Sequence, residues 1–197
     1  MTEAAHAVRV EHARQAKPNG WWGIALFVAT EATLFGTLIG SYFYLRFNTL
    51  QWPPPGVPEP KVALPVVLTG VLLATSLPLQ AAVSAAHAAH RLRAWCLVAL
   101  ALFVQTGYFA MQVHLFADDL GKVRPQGSSY ASIYVTLVGA DHAHVLVGLL
   151  LDLWLLARLA TGLTNYRLVG LRVVTFYWHF VNVLTVAVVL TQLSPSL

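Results

Sequence analysis

The sequence predicts an all-α polytopic membrane protein, a bundle of five transmembrane helices, and three observations carry that prediction. Of 197 residues, 57% are hydrophobic and only 10% charged, where an average soluble chain has about 25% charged residues. Mean hydropathy is +0.65. The apolar residues fall into five runs, each longer than the ~20 residues needed to cross hydrocarbon, and most of the Pro and of the charge lies outside them.

Residues 1–20 form a polar N-terminal segment (Glu3, His6, Arg9, Glu11, Arg14, Lys17) ending in Pro18-Asn19-Gly20. It has no apolar stretch before a small-residue site, so no cleavable signal peptide is expected. Residues 21–197 form the single transmembrane domain. The predicted spans are Trp21 to Phe47, Ala63 to Ala86, Ala94 to Ala117, Tyr130 to Ala157 and Val169 to Leu193. Trp52-Pro53-Pro54-Pro55-Gly56 and Asp118-Asp119-Leu120-Gly121 read as loops.

Basic residues sort by side. Arg9, Arg14, Lys17, Arg91, Arg93, Arg158, Arg167 and Arg172 lie on one, against Arg46, Lys61, Lys122 and Arg124 on the other. The positive-inside rule then places the N-terminus in the cytoplasm and, after five crossings, the C-terminus outside. The net charge of +4 is scattered at helix ends rather than gathered on one stripe, so it does not point to nucleic acid. The single Cys96 allows neither an intrachain disulfide nor a thiolate metal site.

Aromatic residues at the helix ends (Trp21, Trp22, Tyr42 to Tyr44, Trp52, Trp95, Tyr130, Tyr134) read as a belt at headgroup level. Gly36 and Gly40 form a GxxxG pair, for which close packing within the chain is expected.

The polar residues inside the runs are the candidates for function. Glu31 sits about ten residues into an uncharged stretch, near mid-membrane at ~1.5 Å per residue, where an acid begins to cost near ~2.5 kcal/mol unless it is protonated, paired or turned toward protein or water. His144 with Asp141 in the fourth helix, and His179 in the fifth, lie within about two turns of the same level. Asp141 and His144, three apart, are the expected pair, and His179 and Asn182 share a face beside Trp178. The third helix offers Gln105, Gln112 and His114. Gathered on inner faces, these groups could satisfy one another as a buried network. His87 and His90 read as solvated in a turn. Asp152, near Trp154 and Arg158, reads as an interfacial residue.

His114, His142, His144 and His179 are enough ligands on paper for a metal or haem, with His144 and His179 the pair that a bis-histidine haem would use. No phosphate-binding glycine loop, no GxSxG, no HExxH and no paired cysteines occur. A small proton-linked transporter using Glu31 and Asp141 is disfavoured, since there is no inverted repeat and no pair of broken helices at matching positions.

Several stretches taken together resemble subunit III of the haem-copper cytochrome c oxidases. Trp22-Gly23-Ile24-Ala25-Leu26-Phe27-Val28-Ala29-Thr30-Glu31 is similar to that family's WGxxLFxxSE segment, with Glu31 at its membrane carboxylate. Trp52-Pro53-Pro54-Pro55-Gly56 resembles its WPPxG turn, and Gly107 to Gln112 its third-helix pattern of Gly, Phe and Gln. Gly139-Ala140-Asp141-His142-Ala143-His144-Val145 matches GxHxxHV at the glycine, the second histidine and the valine. Tyr177-Trp178-His179-Phe180-Val181-Asn182 matches YWHFVD in all but the last position. Asp141 thus stands where the first histidine usually is, Asn182 where the family has aspartate, and Leu115 where an acid commonly follows Gln112.

The resemblance implies a short, five-helix form of a fold that usually has seven helices. It implies an accessory subunit with no cofactor of its own, in the bacterial cytoplasmic (inner) membrane. Its partners would be subunit I and subunit II, which carry the haem and copper, together with membrane phospholipids. The complex would reduce oxygen to water with electrons from cytochrome c or quinol. Glu31 would anchor an intramembrane network with Gln112, Asp141, His144, His179 and Asn182. The alternatives are an accessory subunit of a nitric oxide reductase and a haem-bearing cytochrome b-type anchor.

Overall fold

A computed structural model describes residues 19–57 and 62–196. The polar segment at residues 1–18, with Arg9, Arg14 and Lys17, and the loop residue Lys61 lie outside the described residues. Five helices long and apolar enough to cross a membrane follow one another: α1 (Asn19–Phe47), α2 (Ala63–His87), α3 (Arg91–Lys122), α4 (Ser129–Ala160) and α5 (Asn165–Leu193). A short 3-10 turn, Ser194–Ser196, ends the described chain, and there is no strand among the described residues. Helices α2, α3, α4 and α5 form a ring in which each packs on its two neighbours, and α1 lies outside it against α4 and α5.

Helix α2 is broken into α2a (Ala63–Ala74) and α2b (Ser76–His87). Pro78 explains the break. It has no N–H for the carbonyl of Ala74, and its ring crowds that carbonyl. Thr75 takes up the slack, its N–H and hydroxyl both reaching Leu72 O at 3.0 and 2.7 Å. Hydropathy alone predicts one continuous helix over Ala63 to Ala86.

Helix α3 runs on to Lys122, so Asp118-Asp119-Leu120-Gly121 is helical rather than a loop. Hydropathy marks where hydrocarbon ends, but the backbone ladder can continue into water, and here it stops only where Val123 turns extended. Ser128 caps α4 by accepting from Ala131 N, and Thr164 caps α5 by accepting from Arg167 N. Between α2b and α3 the chain turns through Ala89 at φ +60°. His90 N reaches Ala85 O and Ala89 N reaches Ala86 O, the paired bonds of a Schellman turn, and His87 and His90 are exposed as expected.

Two expectations about packing change. Gly36 and Gly40 face outward with nothing within 4 Å of a Cβ built on either, so the GxxxG stripe packs no helix among the described residues. Tyr42 and Tyr130 are buried rather than belted at headgroups, each set edge-on to Trp52 at 5.3 and 5.0 Å between ring centroids. The Trp-Pro loop is thereby folded onto the ends of α1 and α4. Trp22 and Tyr44 remain exposed.

Close approach inside the ring rests on small residues, with Ala82, Ala85, Ala86, Ala94 and Ala101 all buried. The tightest point is Gly148 on α4. A Cβ there would lie 2.6 Å from Trp178 Cζ2 of α5, whose ring is fully buried.

One polar clasp sits in the same region and corrects the sequence reading. Asp152 is 0% exposed, not interfacial. With the Gln105 amide oriented to suit its neighbours, it donates to Asp152 Oδ2 at 2.8 Å and to Ala101 O at 3.1 Å, and its oxygen lies 3.1 Å from Thr75 Oγ1. Helices α2, α3 and α4 meet at this point. Charge near a helix end suggested snorkelling. However, Asp152 lies eleven residues from Asp141, about three turns, and so on the same inward face.

Two outcomes are expected in detergent unfolding of the purified protein. Gly148→Ala should destabilise by about 1–3 kcal/mol, because α4 and α5 must part to admit the methyl group, and Trp178→Phe in the same chain should recover part of that loss. Gln105→Leu should cost about 1–2 kcal/mol by leaving Asp152 without its amide donor. An unchanged midpoint in both variants would contradict this packing.

Candidate functional site: two polar clusters about helix α4

Glu31 and His144 meet between α1 and α4, with His144 Nε2 3.1 Å from Glu31 Oε2. The other ring nitrogen, Nδ1, lies 2.8 Å from Ala140 O. That carbonyl can only accept, so Nδ1 carries a hydrogen, and one further proton is shared between Nε2 and the carboxyl group. Either a neutral imidazole accepts from a carboxylic acid or an imidazolium donates to a carboxylate. Both arrangements are net neutral, which is the condition for keeping such groups in a membrane.

The pair is held from several sides. Phe35 sets its ring edge-on to the His144 ring at 5.1 Å. The Tyr177 hydroxyl donates to His144 O at 2.8 Å, and Phe27 lies 6.2 Å from the Tyr177 ring. The side chains stay 20% exposed for Glu31 and 13% for His144. The pair therefore sits at the rim of the ring of helices rather than on its axis.

Asp141 turns the other way. Three residues along a helix leave about 60° between side chains, and that is enough to send His144 toward α1 and Asp141 into the four-helix interior. There Asp141 Oδ1 accepts from Thr185 Oγ1 of α5 at 2.9 Å, and Asp141 is only 5% exposed. The sequence paired Asp141 with His144, but each has its hydrogen bond on a different helix.

Other candidates scatter along this interior. Gln112 donates to Tyr108 Oη at 3.0 Å within α3. Asn182 Nδ2 donates to Ser76 Oγ at 2.8 Å, closing α5 on α2b just past the Thr75 break. His142 sets its Nδ1 2.7 Å from Val138 O and stacks on Phe116, with ring centroids 5.1 Å apart. His179 and His114 are exposed on outward faces.

The structure thus brings Glu31 to His144, sets Asp141, Gln112 and Asn182 on separate local partners in the interior, and leaves His179 apart. Thr185, Ser76 and Tyr108 are the partners that sequence reasoning missed. A serine, threonine or tyrosine in an apolar helix is common, and nothing at sequence level marked these three. A bis-histidine haem fits poorly, because both nitrogens of His144 are engaged and His179 points out of the bundle. Among the described residues no three of His, Cys, Asp and Glu converge as a metal site.

Known proteins resemble this chain over most of its length. Residues 3–192 match the family described as cytochrome c oxidase subunit III. The chain is 29% identical to the cytochrome bo(3) ubiquinol oxidase subunit 3 of Pseudomonas aeruginosa, covering 90% of this chain and 86% of that one. It is 31% identical to a probable cytochrome c oxidase subunit 3 of Mycobacterium leprae, over 84% of this chain and 82% of that one. To the cytochrome c oxidase subunit 3 of Locusta migratoria it is 25% identical, over 82% of this chain but 64% of the longer relative. A match across nearly the whole length, on five membrane-spanning helices, leaves one conclusion: the chain belongs to the cytochrome c oxidase subunit III family.

Proposed function

We propose that this chain is the accessory, cofactor-free subunit III of a haem-copper terminal oxidase in a bacterial cytoplasmic membrane, with its N-terminus inside and its C-terminus outside. It docks against subunit I, in a complex with subunit II and bound phospholipids, and itself carries out no redox step. The haem and copper belong to the partner subunits, which reduce oxygen to water. Electrons come from quinol or cytochrome c, the two donors named among its relatives. Its work is to keep subunit I intact during turnover and to support proton uptake.

The observation that carries this reading is the Glu31–His144 pair. It is the one contact between a carboxylate and a histidine among the described residues, it joins α1 to the ring, and it stands at a partly open rim where a neighbouring subunit can reach it. A shared proton between two net-neutral arrangements also gives the pair a means of taking up or passing on a proton without leaving a bare charge in the membrane.

Two substitutions separate the roles. Glu31→Ala leaves His144 Nε2 unpaired, a loss of about 1–3 kcal/mol at the α1–α4 contact. The purified oxidase should then retain less of this chain and inactivate earlier during continuous turnover. Glu31→Gln keeps a hydrogen-bonding group but no transferable proton, so it should restore retention while leaving the shortened lifetime. Oxygen-consumption traces, read with the subunit stoichiometry of the same samples, check both. Full retention and linear turnover in Glu31→Ala would overturn the proposal.

A further inference from the structure

The interior of the ring is not filled from end to end. At the face where α3 and α5 end and α2a and α4 begin, a cavity of about 270 Å³ opens between these four helices and reaches down to Asp141. Its mouth carries Asp118, Asp119 and Lys122, and Tyr134 on its wall donates to Asp119 Oδ2 at 2.6 Å. Its inner end is made by Gln112, Asp141 and His142. Past Asp141 the interior closes on Ala101, Val145, Trp178 and Val181, none more than 1% exposed.

The cavity has the two properties that decide between a wet and a dry void. Its volume holds several waters at the ~30 Å³ each occupies in the liquid. Its inner end also holds polar groups that need partners. His142 Nε2 is buried and has none among the described residues, and Asp141 has its one side-chain hydrogen bond through Oδ1. An empty apolar void stays dry, whereas one ending on a carboxylate, an imidazole nitrogen and an amide offers each water several partners.

We infer that this cavity is a hydrated vestibule, a binding site for a cluster of waters that brings the aqueous phase from the face bearing residues 123–128 to the carboxyl group of Asp141. Asp141 is then in contact with solvent although it lies within the membrane span. The groups facing it are Tyr108 and Gln112 from α3, Thr185 from α5, and His142 on its own helix. The vestibule is blind, so it admits water without piercing the membrane. The inference rests on the cavity alone and holds or fails independently of the functional proposal above.

Cysteine accessibility in the assembled complex tests it. With the exposed native Cys96 changed to Ser, Val138→Cys and Leu115→Cys put thiols on two walls of the cavity. Leu137→Cys, one residue away and fully buried against Phe35, is the dry control. Gln126→Cys in the exposed loop is the wet one. The probe is a membrane-impermeant quaternary-ammonium methanethiosulfonate applied to either face of sealed vesicles. Such a reagent needs a thiolate, which forms only where water reaches the sulfur, so both cavity thiols should react within about tenfold of Gln126→Cys, and Leu137→Cys at least about a hundredfold slower. Both should be labelled only from the face bearing residues 123–128. Cavity thiols as slow as Leu137→Cys, reaction only with a lipid-soluble maleimide, or labelling from the opposite face would each overturn the inference. Two positions on different helices keep the test valid if one variant fails to assemble.

Discussion

In hydrocarbon a polar side chain has no water to fall back on, so each one carried into the membrane fixes which helix must lie beside it. Nearly every helix contact in this protein is marked in that way. Glu31 and His144 join α1 to α4, and Asp141 and Thr185 join α4 to α5. Asn182 and Ser76 join α5 to α2b, and Gln105 ties α3 to both Thr75 and Asp152. Apolar faces could slide against one another or against lipid at little cost, because hydrocarbon is no better excluded from one than from the other. Directional bonds remove that freedom. The α1–α5 contact has aromatic pairs instead, Trp21 on Phe176 and Phe27 on Tyr177, and α1 depends on its one acid for register against α4.

That dependence explains why the helices were legible in the sequence while their faces were not. Long apolar runs fix the number of crossings and place Glu31, Asp141 and His144 at a common depth, since depth follows from residue count alone. Direction needs a polar–apolar contrast around the helix, and these helices are apolar on nearly all sides. His179 reads as interior from its depth and lies outside, whereas Asp152 reads as peripheral from its depth and is fully buried. The pattern that survives is spacing. The eleven residues between Asp141 and Asp152, and the seven between Gln105 and Gln112, each bring two polar groups back to one face. Hydropathy likewise could not show the break at Thr75, which comes from a proline three residues further on, nor the extra turn that carries Asp118 and Asp119 beyond the hydrocarbon.

Helix α4 emerges as the organising element. It carries His144 toward the rim and Asp141 and Asp152 toward the interior, and Gly148 between them lets α5 approach until the Trp178 ring nearly meets the α4 backbone. The three polar residues and the glycine are mutually dependent. A side chain at 148 would push α5 away and lengthen the Asp141–Thr185 bond about two turns further along. The clasp at Asp152 depends on α3 holding Gln105 level with it. A helix so constrained on both faces can present His144 to Glu31 in one orientation, with Nδ1 already committed to its own backbone.

The departures from the family pattern at Asp141 and Asn182 become intelligible together. A carboxylate on α5 at position 182 would sit against Ser76, at a level where the interior is packed with Trp178 and Val181 and has no path to water. An amide there, which donates through Nδ2 to the Ser76 hydroxyl, costs far less to bury than a carboxylate. The carboxyl group on α4 at position 141 lies about one turn nearer the open face, at the inner end of the cavity, where Thr185 supplies one hydrogen bond and water can supply others. Moving the acid from α5 to α4 therefore leaves the number of carboxyl groups within the ring unchanged while shifting one from a packed level to a solvated one, and asparagine at 182 is the complement of aspartate at 141.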